Sequence, residues 1–433
     1  MPMREASLRS AQGTPQAPGR GRTLLIYAPV PLYREGETLF VEEQASNGIR
    51  LWASNFERLI VMMPLSGARP RGSWIPVERA QFDASRIRLV ELPGAYRPDV
   101  FIRELPRTIR IIRKLILEAD YLSFAIGGLF GDWGAVSAIV AHRMDRPYAI
   151  WTDRVESEVV RRTARQGSLK SRLRAAMTHK PMAWLEHFVI RRAALGLFHG
   201  RETFDAYAPF SRNPHVVHDI HVRRSDHLDA DCVARKIASC RDGPLKIAYA
   251  GRADAMKAPL DWVAALEGLS RDGIDFRAVW LGDGELHRAL VNRIELSGLG
   301  DRVKTPGHVS DREAVLNEMR DAHLFLFCHT TPESPRCLIE ALVSACPLLG
   351  YGSTFAQDLI SSNHGGILVP IGDIDGLVAN LASLARDRNL LGRLIARAAA
   401  DGEPFDDVSV FRHRSELIKK HLPPDRGAGV SMS

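Results

Sequence analysis

The stretch Leu245-Lys246-Ile247-Ala248-Tyr249-Ala250-Gly251-Arg252-Ala253-Asp254-Ala255-Met256-Lys257 reads as a short buried strand, a glycine turn and two cations. In a parallel α/β sheet the loop after a strand opens onto the ligand crevice at the strand's carboxyl end. An Arg fork and a Lys point charge there suit a diphosphate. Ala278-Val279-Trp280-Leu281-Gly282-Asp283-Gly284-Glu285 repeats the pattern of strand and glycine-rich turn. Lys304-Thr305-Pro306-Gly307-His308-Val309 and the strand His323-Leu324-Phe325-Leu326-Phe327 follow. Strand and helix alternate from Leu245 to Leu384, which predicts a parallel sheet with helices on both faces.

Next comes Pro332-Glu333-Ser334-Pro335-Arg336-Cys337-Leu338-Ile339-Glu340-Ala341-Leu342. Ser334 as a cap and Pro335 at the first helical position predict a helix start. The first-turn amides, among them those of Ser334, Arg336 and Cys337, favour an anion together with the helix dipole. Glu340 falls about two turns further on. Amide donors for a phosphate and carboxylates for hydroxyls suit a nucleotide-sugar. A surface acid before an ordinary amphipathic helix is the other reading of these residues alone.

In this order the five motifs resemble the donor half of the retaining glycosyltransferases of family 4. The likeness is strong over residues 244–400 and loose over the N-terminal half. It implies the α/β GT-B fold, two Rossmann-like parallel-sheet domains facing across a cleft. It also implies transfer of a sugar from a nucleotide diphosphate sugar, with no cofactor, to a sugar, lipid-linked or polysaccharide acceptor of a bacterial envelope. By the resemblance, Arg252 and Lys257 beside Gly251 hold the donor diphosphate, Glu340 the ribose and Glu333 the transferred sugar. Gly282, Asp283, His308 and Val309 lie in the loops that read the base. Ser334, Arg336, Cys337 and Leu338 complete the donor site. No metal is expected, because the cations and the helix dipole take its place.

Two departures stand out. Glu333 and Glu340 have one residue fewer between them than the family usually has, and Pro332 occupies the usual place of the first carboxylate. The family often has a His at the end of a first-domain strand. Here the strand Pro147-Tyr148-Ala149-Ile150-Trp151-Thr152 ends at Asp153. Asp153 performs that catalytic or positioning role, binds an acceptor hydroxyl, or caps the next helix. A nucleotide-sugar epimerase of the same fold and a non-catalytic nucleotide-sugar-binding relative remain alternatives.

The 433 residues predict a tail at 1–22, an acceptor-binding domain at 23–222 and a linker at 223–243. A donor-binding domain at 244–405, a helix returning to the first domain at 406–422 and a tail at 423–433 complete the prediction. Hydrophobic content of 45% and charged content of 25% are ordinary for a soluble enzyme. No apolar run is long enough to span a bilayer, and residues 1–22 lack the apolar core of a secretory signal. Five cysteines without metal-ligand spacing predict reduced thiols in a cytoplasm. His199, His218 and His221 lack the carboxylate or Cys spacing that completes a metal site.

Residues 1–220 hold 32 Lys and Arg against 22 Asp and Glu, a net +10, whereas residues 221–433 carry −3. No nucleic-acid-binding motif accompanies this charge. An anionic acceptor or peripheral contact with the inner face of the plasma membrane explains it, as does an Arg-rich solvated surface. The most basic segment, Arg154 to Arg192, interleaves its positives with Leu173, Met177, Trp184, Leu185 and Phe188. Phe40 to Phe56 and Pro106 to Glu118 read as helices. Gly127-Gly128-Leu129-Phe130-Gly131-Asp132-Trp133-Gly134 reads as a second glycine-rich turn that binds acceptor or phosphate, or that lets helix and strand pack closely.

Overall fold

Two sheets, the first parallel but for an antiparallel edge and the second all parallel, each flanked by helices, face one another in the computed structural model, which describes residues 23–69, 73–165, 169–331 and 334–423. The predicted tail at 1–22, residues 424–433 of the second tail, and Glu333 lie outside the described residues. So do the side chains of Arg162, Arg165, Lys170 and Arg174.

Among the described residues the first sheet has ten strands: β1 (Thr23–Tyr27), β2 (Leu32–Glu35), β3 (Thr38–Glu42), β4 (Arg58–Ser66), β5 (Trp74–Pro76), β6 (Ile87–Pro93), β7 (Tyr121–Ala125), β8 (Ala149–Thr152), β9 (Leu195–His199) and β10 (Pro214–Val217). Its helices are α1 (Glu43–Asn55), α2 (Pro98–Glu118), α3 (Trp133–Arg143), α4 (Glu156–Arg165), α5 (Leu169–Arg192) and α6 (Gly200–Tyr207). β1 and β7 are fully buried apolar runs, as parallel strands covered on both faces must be. From β1 the chain builds outward to β4 on one side, then crosses to β7, β8, β9 and β10 on the other.

Three expectations change here. The helix read from Phe40 starts at Glu43, because Thr38, Phe40 and Val41 are β-branched or aromatic and Thr38 to Phe40 pairs antiparallel with β2. The Glu42 carboxylate then accepts from the Ala45 amide at 2.9 Å and caps α1. The basic helix begins at Pro98 rather than Pro106. Pro98 suits the first turn, and Pro106 is carried inside a helix anchored by buried Ile112, Leu115 and Ile116. The predicted linker holds α7 (Ala230–Ser239), capped by Asp229, whose Val233 and Ile237 pack on the second core. Ile220 and Val222 already belong to that core, so the structural boundary falls near Asp219.

The second sheet contains β11 (Leu245–Ala250), β12 (Phe276–Leu281), β13 (Val303–Gly307), β14 (Leu324–Phe327), β15 (Leu348–Tyr351) and β16 (Gly366–Val369). Between and after them run α8 (Pro259–Arg271), α9 (His287–Leu296), α10 (Arg312–Asp321), α11 (Arg336–Val343), α12 (Thr354–Leu359), α13 (Ile374–Arg386) and α14 (Arg388–Gly402). The spatial order β13-β12-β11-β14-β15-β16 reverses direction between β11 and β14. The last helix, α15 (Asp407–His421), returns as expected and buries Phe411, Leu417 and Ile418 in a first-domain core with Ile49 and Trp52. Among the described residues no helix is long and apolar enough to cross a membrane.

Candidate functional site

Ligands of open α/β sheets sit outside the carboxyl ends of the strands where the order reverses. In the second sheet that point lies between β11 and β14, and the predicted donor residues follow those strands. After β11, Arg252 leaves its side chain 71% exposed, 3.5 Å from Asp254. Lys257 is buried in the next short turn, Ala255–Lys257. Its charge, after burial, helps keep His329 at the end of the β14 strand neutral. Ala258 then takes a left-handed φ of +42°, a strained conformation for a residue with a Cβ.

The loops after β11, β12 and β13 are stitched main chain to main chain. Gly251 N–H donates to Leu281, Gly282 N–H to Gly307 and Ala253 N–H to Asp283. A Cβ at Gly282 would stand 2.0 Å from the Gly251 carbonyl oxygen, so glycine is a packing requirement there. The Asp283 carboxylate accepts from the Gly284 amide at 2.8 Å. His308 is exposed beyond β13, and Val309 packs against the core.

Beyond β14 the predicted cap is corrected. The N-cap of α11 is Pro335, without a side-chain cap bond, and Arg336 is the first helical residue. Ser334 has turned away, because its hydroxyl donates to the His199 carbonyl of the first domain at 2.9 Å. Leu338 is fully buried core, so its side chain serves packing rather than the site. Cys337 is partly exposed at the helix start. Glu340, one turn further on, is partly buried. Burial raises its carboxyl above the ordinary range against the pull of Arg312 and Arg336.

The first sheet also reverses, between β1 and β7, and a cavity of about 390 Å³ opens there. Aromatic Tyr27, Tyr96 and Trp151 wall it, and Asp153, Glu156 and Asp219 supply carboxylates. Asp153 is exposed at the end of β8. The next helix starts only at Glu156, so Asp153 is not its cap. Arg336 reaches this cavity from α11, which joins the two crevices.

The glycine-rich turn of the first domain resolves toward close packing. A Cβ on Gly134 would lie 1.8 Å from the Ala125 carbonyl oxygen. The amides that a phosphate would need are already used. Asp132 accepts from Gly127 at 3.0 Å, Gly128 at 3.2 Å and Ala135 at 2.9 Å. Burial nevertheless pushes the Asp132 carboxyl up to about 6.

Asp219, Arg414 and His199, none of them assigned to the site from sequence, tie the domains together through Arg336 and Ser334. Asp219 accepts from Arg336 on one oxygen and from Arg414 of α15, at 3.1 Å, on the other. Arg414 also sits over the rings of Trp52 and Trp151 at 4.8 and 5.0 Å. The two arginines hold the Asp219 carboxyl well below the usual range in spite of its burial. His199 Nδ1 accepts from the Asp219 amide at 3.0 Å, which leaves the proton on Nε2 to donate to the Ser334 carbonyl at 3.1 Å. Asp219 lies 117 and 195 positions from its two partners, so no local spacing could reveal it.

Residues 234–401 match the family model for glycosyl transferases group 1. The chain is 27% identical over 174 residues to the GalNAc-alpha-(1->4)-GalNAc-alpha-(1->3)-diNAcBac-PP-undecaprenol alpha-1,4-N-acetyl-D-galactosaminyltransferase of Campylobacter jejuni, covering 40% of this chain and 47% of that protein. It is 26% identical over 237 residues to the 2-deoxystreptamine N-acetyl-D-glucosaminyltransferase of Streptomyces fradiae, covering 52% and 55%. The chain thus spans about half the length of these relatives. In fold it is similar to Anabaena Alr3699/HepE, solved in complex with UDP, at 15% identity and a TM-score of 0.62 over 91% of this chain and 98% of that one. The fold is GT-B, and residues 234–401 are similar to the glycosyl transferases group 1.

Proposed function

We propose that this chain is a retaining glycosyltransferase of family 4 that takes a sugar from a nucleotide diphosphate sugar without a metal. The observation that carries the reading is Arg336. It starts the helix behind the second sheet's crevice and lines the first sheet's cavity together with Asp153. A donor held at one crevice is therefore presented to an acceptor in the other. Arg252, Lys257 and the positive end of α11 stabilise the charge that grows on the leaving diphosphate, the largest electrostatic contribution the protein makes. Glu340 anchors the ribose and Glu333 the sugar. Asp153, exposed at the cavity, engages the acceptor hydroxyl.

The acceptor in this reading is a lipid-linked or polysaccharide intermediate of a bacterial envelope, met at the inner face of the plasma membrane. The undecaprenol in the name of the Campylobacter relative and the net +10 of residues 1–220 support it. A thermal-shift screen with UDP, GDP and ADP and their sugars tests the donor. One nucleotide and its sugar should stabilise the chain, and donor hydrolysis should follow with retention at the anomeric carbon. Absence of any shift, or release of a free epimer without acceptor, would overturn the reading.

A further inference from the structure

Asp153 stays exposed in the first sheet's cavity, although an acid just ahead of a helix ordinarily serves as its cap. The reason lies in α5. The Val155 carbonyl accepts the first bond inside α4, from the Val159 amide at 3.0 Å, so Val155 stands at the cap position. Its side chain is buried in the first-domain core and has no oxygen for the free amides of the first turn. Glu186 of α5 supplies that oxygen from 29 positions away. Its carboxylate accepts from the Ser157 amide at 3.1 Å and from the Ser157 hydroxyl at 2.7 Å. The Tyr207 hydroxyl of α6 bonds to the same carboxyl.

Glu186, Ser157 and Tyr207 are all buried. A carboxyl at that depth is costly unless it is hydrogen-bonded, and bonds from two other helices meet that need. Burial still pushes it up to about 7. The cap holds in either form, because the Ser157 hydroxyl can donate to the carboxylate or accept from the acid.

The segment held in this way carries the acceptor chemistry. Asp153, Arg154 and Glu156 line the cavity. The Thr152 hydroxyl donates to the Arg154 carbonyl at 2.9 Å, and Arg154 pairs with Glu156, but both bonds lie within the turn itself. Glu186 ties the turn to another helix. Arg336 of α11 feels the Asp153 charge, so a shift of this turn is a shift where the two crevices meet.

We propose that Glu186 is a positioning residue for transfer, which caps α4 from α5 and so leaves Asp153 free to face the acceptor and fixes it there. The inference rests on the transferase reading, in which Asp153 engages the acceptor hydroxyl.

Donor hydrolysis by the full chain, with water in the acceptor's place, tests it. The substrate is the nucleotide-sugar that the thermal-shift screen selects, and rates are taken per nucleoside diphosphate site counted by calorimetry. Glu186→Leu removes the cap and should lower kcat by at least about tenfold with the donor KM unchanged. Glu186→Gln keeps an acceptor for the Ser157 amide and a donor for its hydroxyl, and should hold kcat within about twofold of wild type. Hydrogen exchange over residues 153–160 should speed up in Glu186→Leu and not in Glu186→Gln. If Glu186→Leu does not fold, Ser157→Ala takes its place, with a fall in kcat of about threefold. Wild-type kcat in the uncapped variant, a parallel change in donor KM, or an equal loss in Glu186→Gln would overturn the inference. So would unchanged exchange of the segment, which is measured whether or not the chain turns over. A normal nucleotide shift with any of these results defeats this inference alone, whereas a wild-type chain without nucleotide shift or hydrolysis defeats the transferase reading itself.

Discussion

Each sheet reverses its strand order once, and the two helices that follow those reversal points start differently. At α3 the cap is Asp132, whose carboxylate takes the amides of Gly127, Gly128 and Ala135. At α11 the cap is Pro335, which has no side-chain oxygen to give. A helix start that carries its own buried anion has no use for a second one. One that begins on proline, with Arg252 and Lys257 on the loop after β11, suits the diphosphate proposed above. In that proposal the same α/β architecture serves a hydroxyl-rich acceptor in one domain and an anionic donor in the other.

Asp219 tests whether the two crevices act as one site, because its carboxylate joins Arg336 of one domain to Arg414 packed on the other. Asp219→Ala leaves Arg414, only 6% exposed, without its partner. Breaking such a buried pair from one side costs about 3–5 kcal/mol. Urea unfolding should show that loss. Arg336→Gln should cost less stability, because that side chain is 38% exposed, but should lower transfer more than donor hydrolysis. Equal stability of wild type and Asp219→Ala would mean that the crevices are joined by packing alone.

The second crevice can be broken directly. Arg252→Ala and Lys257→Ala should each weaken nucleoside diphosphate binding by about 1.5–3 kcal/mol, the range for hydrogen bonds to charged groups. Calorimetry with the nucleotide found in the screen measures this. Retention of wild-type affinity in both variants would move the anion site elsewhere. A smaller effect separates the two carboxylates. Glu340→Gln should raise the donor KM more than Glu333→Gln, because Glu340 lies on the rigid α11, partly buried between Arg312 and Arg336. The reverse ranking in steady-state kinetics would exchange their roles.

The second domain was far more legible in sequence than the first, for a physical reason. The chemistry proposed for it sits in short loops directly after strands, where tight main-chain packing requires glycines at fixed places. Gly282 against the Gly251 carbonyl is the plainest case. β9 was also legible, because a largely apolar run needs only local pattern, whereas the return of α15 was expected from the fold that the resemblance implies. The first domain builds its cavity from residues distant in sequence. Nothing near His218-Asp219-Ile220-His221 announces that Asp219 will meet Arg336 and Arg414. Phe40 to Glu42 was misread because a hairpin added to the edge of a parallel sheet is decided by its tertiary neighbours. Ser334 carried a sound capping signal, and the domain interface took its hydroxyl instead.

The finest test concerns the anion built into α3. The Asp132 carboxyl is raised to about 6 because burial outweighs the amide bonds that favour its charge. A folded-state value above the unfolded one of 3.8 means that the folded chain binds the proton more tightly. The resulting stability is full below the unfolded value and is lost as pH rises through about 6. Asp132→Asn keeps a good N-cap residue and removes the titration. Thermal unfolding of this variant should therefore vary less than wild type between about pH 4 and 6, with little change in Tm at the acid end. Added sulfate should not stabilise the wild type through α3, because the carboxylate already fills that position. If wild type and Asp132→Asn have parallel pH profiles, burial does not govern this carboxylate, and the first crevice is less apolar than its walls imply. The contrast between the two helix starts would then rest on the capping hydrogen bonds alone.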